Sequence, residues 1–138
     1  MWGPMAEAML RSYLDKNHKY IPTQSRGLVV LFEEPLNPKI IEILSHHGID
    51  LEDRQSVGLA KEDLEEGTLV LTMLFRQKVK IIEDYDFADT VYTVSEFAGE
   101  EADLLGPYGG ERREYEAFYR ELTRILPKVV GRIIEEEQ

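Results

Sequence analysis

Apolar residues recur along this chain in two rhythms, and the changes of rhythm mark out its elements. Met5, Met9, Leu10 and Tyr13 fall at helical spacing behind Gly3-Pro4. Pro at the first helical position gives up a hydrogen bond that position would not make, so the pair reads as a helix entry. The stripe predicts a helix to about Asn17. Tyr20 to Ser25 predicts a short strand, closed by a turn at Gly27. Leu28 to Phe32 is a continuous apolar run, too short for a core helix and rich in strand formers, and its place in the fold stays open.

Asn37-Pro38 is a cap followed by Pro, and Ile40, Ile41, Leu44 and His47 keep helical spacing until Gly48 closes the segment. Leu59 to Glu65 predicts a short helix, and Thr68 to Thr72 gives the strongest buried-strand signal. Phe75 to Asp84 returns to helix with Val79 and Ile82 inward, and Val91 to Val94 to strand. Beyond the turn Gly106-Pro107-Tyr108-Gly109-Gly110, the longest helix runs from Arg112 to about Glu136. Its predicted buried face is Tyr115, Phe118, Tyr119, Leu122, Ile125, Leu126, Val129, Val130, Ile133 and Ile134. Pro127 removes one backbone donor inside that helix and predicts a kink. Glu135, Glu136 and Glu137 crowd the negative helix end, which predicts a frayed last turn.

Strands alternating with helices predict an α/β layered domain around a short, mostly parallel sheet, with residues 1–138 as one domain. Three strand-like segments are visible where such a sheet is normally built from four.

Composition narrows the function classes. The formal net charge is −11. That acidity disfavours nucleic acid, whose affinity comes from Lys and Arg displacing counterions, and it disfavours adsorption to anionic membranes. No cysteine occurs, which excludes disulfides, thiolate metal sites and a cysteine nucleophile in these residues. No apolar stretch approaches the roughly 18 residues that span a bilayer, and no secretory signal is visible, so a cytoplasmic location is expected.

Few side chains outside the helical stripes suggest chemistry. His46 and His47 are adjacent, so on a helix they point about 100° apart and do not chelate one ion. A packed or capping role fits them, and solvent fits His18. Glu33-Glu34, Glu65-Glu66 and Glu100-Glu101 read as solvated faces, and Asp84-Tyr85-Asp86 as a helix-ending turn. No metal site and no cofactor are expected. Arg112 and Arg113 could draw an anion, diluted by Glu111 and Glu114.

Several stretches together resemble the low-molecular-weight protein tyrosine phosphatase family, which shares its fold with arsenate reductases. They are Pro4-Met5-Ala6-Glu7-Ala8, Asn37-Pro38 with the helix to His47-Gly48-Ile49-Asp50, and Leu69 to Met73. Val91-Tyr92 through Glu96-Phe97-Ala98-Gly99-Glu100 and Pro107-Tyr108-Gly109-Gly110 complete the set, in order, from residue 3 to about residue 134. The resemblance implies a three-layer α/β/α fold. It also implies a site in which a Cys-to-Arg phosphate loop wraps the first helix N-terminus, where backbone N–H groups and the helix dipole hold phosphate and activate a thiolate. An Asp ahead of Pro-Tyr-Gly-Gly protonates the leaving group.

Matched onto this chain, the family Arg falls on Trp2, the following Ser on Gly3, and the general acid on Gly106. The nucleophile falls before Met1. The resemblance therefore predicts a vestigial loop and helix start at Trp2, Gly3, Pro4 and Met5, and a vestigial acid loop at Gly106, Pro107 and Tyr108, with no catalytic residue. Phosphate or sulfate could still sit at the first helix N-terminus. Trp2, Phe32 and Tyr108 could form an aromatic rim, although packing suits Phe32 better. The first strand of the family sheet is missing from the residues given, which predicts open edges at Tyr20–Ser25 and Thr68–Thr72. Those edges could be closed by inward folding of Leu28–Phe32, by direct pairing of the two edges, or by a strand swapped from a second copy, and a self-associated state in solution is expected. Three functional readings follow: a catalytically silent or truncated phosphatase relative, a protein-binding or scaffold module, or an active phosphatase whose true start lies upstream.

Overall fold

The computed structural model describes residues 3–28, 37–51, 57–104, 106 and 111–136. Five helices, α1 (Gly3–Lys16), α2 (Pro38–His46), α3 (Phe75–Tyr85), α4 (Val94–Phe97) and α5 (Arg112–Glu136), surround two strands, β1 (Val70–Thr72) and β2 (Val91–Thr93). The strands pair in parallel, Val70 with Val91, Leu71 with Tyr92 and Thr72 with Thr93. α3 makes the crossover between them, as a parallel pair requires. The fold is α/β, as the alternation predicts.

α1, α2 and α5 enclose the core. Met5, Met9, Ile40, Leu44, Leu122, Ile125 and Val129 have no solvent exposure. The face of α5 matches the sequence reading at Tyr115, Phe118, Leu122, Ile125, Leu126, Val129 and Val130, while Tyr119, Ile133 and Ile134 are half-buried at its margin. Pro127 stands on the solvent side, and the helix continues past it. The helix runs through Glu136, and Glu137, the last of the three acids, lies outside the described residues. Arg132 pairs with Glu136 at 3.0 Å, a cation one turn back that offsets the acidic end. α2 starts as predicted, because the Asn37 side chain accepts the Lys39 N–H at 3.0 Å. It ends before Gly48, whose φ of 79° suits a residue without Cβ. Asp86 closes α3 in the left-handed region at φ 50°, so Asp84-Tyr85-Asp86 is the helix-ending turn expected.

Four expectations need correction. Tyr20–Ser25 is not a strand. Residues 19–26 carry no regular structure, and Gly27 alone joins a ladder, a parallel bridge to Gly58. Its N–H donates to Val57 O and its carbonyl accepts from Leu59 N–H, both at 2.8 Å. A strand exists only through its neighbour, and local sequence does not supply one. The helix expected over Leu59–Glu65 is a single 3-10 turn, Lys61–Asp63, too short a run to offset helix nucleation. The inward residue of α3 is Ile81, at 3% exposure, with Val79 and Ile82 half-buried on either side of it. Lastly, β2 stops at Thr93, because Thr93 caps α4: its Oγ1 accepts the Glu96 N–H at 2.9 Å, and Glu96 Oε1 accepts the Thr93 N–H at 2.8 Å. The sheet among the described residues thus has two strands rather than three. Leu28 is described but Val29 to Phe32 are not, so the fate of that apolar run lies outside the described residues.

Candidate functional site

The start of α1 is a crowded place. Pro4 and Met5 are buried, Gly3 is half-buried, and a Cβ on Gly3 would stand 3.3 Å from Ser25 Cβ. Close approach of residues 23–25 is therefore part of the local design. Two side chains stitch that segment to the helix. Ser25 Oγ donates to Glu7 Oε1 at 3.1 Å, and Arg11 donates both to Glu7 Oε2 at 3.2 Å and to the Thr23 carbonyl. The Glu7 side chain is 2% exposed. Burying a carboxylate is costly unless it is paired and hydrogen-bonded, and this one is both.

The first turn of an α-helix has N–H groups without intrahelical partners and lies at the positive end of the helix dipole. Glu7, one turn further in, already places a negative charge under that end.

The segment around Gly106 is held at three points. Glu100 accepts from Arg124 at 2.6 and 2.9 Å and from Lys128 at 2.8 Å, which ties the segment to α5. Asp103 Oδ1 accepts the Phe75 N–H at 3.1 Å, capping α3 across the chain. Leu104, buried in the same core as Met5, donates its N–H to the Met73 carbonyl at 3.3 Å. Gly106 itself is buried. The Arg124 and Lys128 bonds hold the Glu100 carboxyl down at about 2, well below the usual carboxylate range, and Arg124 is raised in return. Glu100 is thus an ion-pair hub rather than the solvated side chain expected.

Other expected residues fall away from chemistry. His47 stacks on Tyr119 with ring centroids 3.9 Å apart, His46 meets it edge-on, and His18 is exposed. Glu65 and Glu66 are exposed. Arg112 pairs with Glu42 and, at 3.3 Å, with Glu116, while Arg113 pairs with Glu111 at 3.1 Å, so neither offers a free cation. No group of three or more His, Asp or Glu among the described residues could hold a metal. No described helix is long and apolar enough to cross a membrane. Trp2, Phe32, Glu33, Glu34, Pro107 and Tyr108 lie outside the described residues. A shallow open groove of about 400 Å³ between Ala8, Ser12 and Gly48 lies along α1 away from its first turn.

The Glu7–Ser25–Arg11 network and the Asp103 cap were not anticipated. A signal for the first existed: Glu7 sits inside the apolar stripe of Met5, Ala8 and Met9, where a solvated acid has no place.

A buried α1 start and a segment before α5 held at three points agree with the family resemblance, and the comparisons decide the family. The sequence model of the low molecular weight phosphotyrosine protein phosphatase family matches residues 2–138. The chain belongs to that family. A protein-arginine-phosphatase of Bacillus subtilis is 30% identical over 135 residues, 91% of this chain and 89% of that protein. The low molecular weight protein-tyrosine-phosphatase PtpB of Staphylococcus haemolyticus is 25% identical over 127 residues, covering 92% and 88%. Among solved structures, the low molecular weight protein tyrosine phosphatase from T. tengcongensis superposes with a TM-score of 0.85 at 31% identity, over 93% of this chain and 88% of that one. A low molecular weight protein tyrosine phosphatase from Bacillus subtilis, solved in solution, gives 0.89 at 27% identity, covering 99% and 92%. Family membership makes the α1 start and the loop before α5 the site to consider first.

Proposed function

We propose that the 138-residue polypeptide keeps the phosphatase scaffold without the family's ester-cleaving chemistry. One observation carries this reading: Gly106, in the place the resemblance gives to the general acid, has no side chain at all. It is an internal residue, and no change of start site alters it. The nearest upstream carboxylate, Asp103, is engaged with the Phe75 N–H and does not stand in for the acid. Without a proton for the departing oxygen, expulsion of an alkoxide or phenoxide is slowed by a factor on the order of 10²–10⁴.

What the scaffold retains favours binding over turnover. The α1 start is held in place by the Glu7–Ser25 bond, and its open N–H groups suit phosphate or sulfate, though the Glu7 carboxylate beneath them weakens the attraction. The test is an aryl phosphate assay on the polypeptide as given. No release of inorganic phosphate above the buffer blank is expected, and vanadate-sensitive turnover would sink the proposal.

A further inference from the structure

We propose that the solvent face of α5 docks a carboxylate-rich segment of a partner protein, and that Glu100 fills part of that place when the partner is absent. The reading is independent of whether the chain hydrolyses phosphate esters. α5 carries six of the chain's 16 Lys and Arg but only five of its 27 Asp and Glu, so its charge runs against the formal −11 of the whole. Arg120, Arg124 and Lys128 stand four residues apart, all exposed, and form one row about 12 Å long on that face. Ala117 and Gly131 are exposed at its two ends, and a Cβ on Gly131 would meet nothing within 4 Å, so an extended segment has room to lie along the row.

The row already holds a carboxylate. Arg124 grips Glu100 with both terminal nitrogens, at 2.6 and 2.9 Å, and Lys128 adds a third bond at 2.8 Å. The fork of a guanidinium matches the two oxygens of a carboxylate in this way. Arg124 shares its charge with Glu121 as well. Arg120, one turn earlier, is exposed and makes no hydrogen bond or ion pair among the described residues. An intramolecular carboxylate thus fills one end of the row and leaves the other end open. Pairs between accessible side chains contribute little, so an incoming carboxylate can replace Glu100.

Charge also selects the occupant. At physiological ionic strength a charge is felt over roughly 8 Å, so a short acidic segment laid on the row senses chiefly these cations. A nucleic acid or an anionic membrane extends beyond the row and meets the chain's excess of acid.

Fluorescence anisotropy of a labelled oligoglutamate peptide, titrated with the 138-residue chain, tests this. Saturable binding is expected, weakening as salt is raised. Arg120→Glu should weaken it about fivefold. Arg76→Glu makes the same change of charge at an exposed, unpaired cation on α3 and should leave binding unchanged. Glu100→Gln removes the internal competitor and should tighten binding about threefold, whereas Glu66→Gln, at an exposed acid remote in the chain, should not. Far-UV circular dichroism verifies that each variant is folded. Four results would each overturn the proposal: no saturable binding, equal weakening by Arg120→Glu and Arg76→Glu, no tightening by Glu100→Gln, or duplex DNA or phosphatidylserine vesicles bound as tightly as the peptide.

Discussion

The α1–α2–α5 layer and the two-stranded sheet are opposite solutions to the same problem of burying backbone. In the helical layer the interior peptide groups, apart from the donor that Pro127 lacks, are satisfied within their own segment, so it is chiefly side chains that need partners, and Met9, Leu122 and Ile125 find them with no exposure left. In the sheet each strand is three residues long, Val70 and Leu71 remain half-buried, and one edge of β1 faces no described strand. The difference lies in where the hydrogen bonds come from. A helix carries its own, whereas a strand borrows them from a segment distant in sequence.

The comparison can be broken most sharply by truncating one apolar residue in each region. Leu122→Ala in α5 should lose about 2–5 kcal/mol in denaturant unfolding, the range for a fully enclosed leucine. Leu71→Ala in β1 should lose visibly less, since part of that side chain is already in water. Equal losses would mean that the sheet is as tightly enclosed as the helices.

A smaller effect is expected where the helical layer departs from its own rule. Glu7→Gln keeps the shape but removes the charge that Arg11 pairs with and weakens the acceptor for Ser25. A loss of about 1–3 kcal/mol is expected, with faster amide exchange in residues 23–25 than in α5. A uniform change in exchange across the chain would show that Glu7 supports the whole core instead of this one seam.

The smallest effect concerns the segment that joins the two regions. Glu100 has its folded carboxyl depressed to about 2 from an ordinary 4.5. The sign follows: a depressed acid favours the folded state above its unfolded pKa, and that contribution is lost as pH falls from about 4.5 toward 2. The side chains involved are solvent-accessible, so the contribution is modest and screened by salt. Thermal unfolding between pH 5 and pH 2 should fall less steeply for Glu100→Gln than for the parent chain. Identical slopes would remove Glu100 from the account of how the segment is held.

The boundaries of α1, α2 and α5 were legible in the residues because their causes are local: Pro4 at the entry, Asn37 as a cap, Gly48 as a stop, and an apolar stripe at constant spacing. The family was legible too, since its motifs follow one another in order from the Pro4-Met5-Ala6 helix start to the turn ahead of α5. The Glu7–Ser25–Arg11 seam was not, although an acid inside an apolar stripe announced that a partner had to exist. Nor was Asp103, because capping α3 from a distant loop leaves no mark in the α3 sequence.

By itself, then, the sequence determined which stretches coil, which residues their buried faces present, and that neither a thiol nor an acid at position 106 is on hand. Tertiary structure alone decided that residues 20–25 fail as a strand, that β2 stops at Thr93, and that Glu100 serves α5 rather than solvent. The physical reason is one of range. Helical spacing and caps act within a turn or two of chain, whereas ladders, long-range caps and ion-pair hubs exist only once distant segments have met.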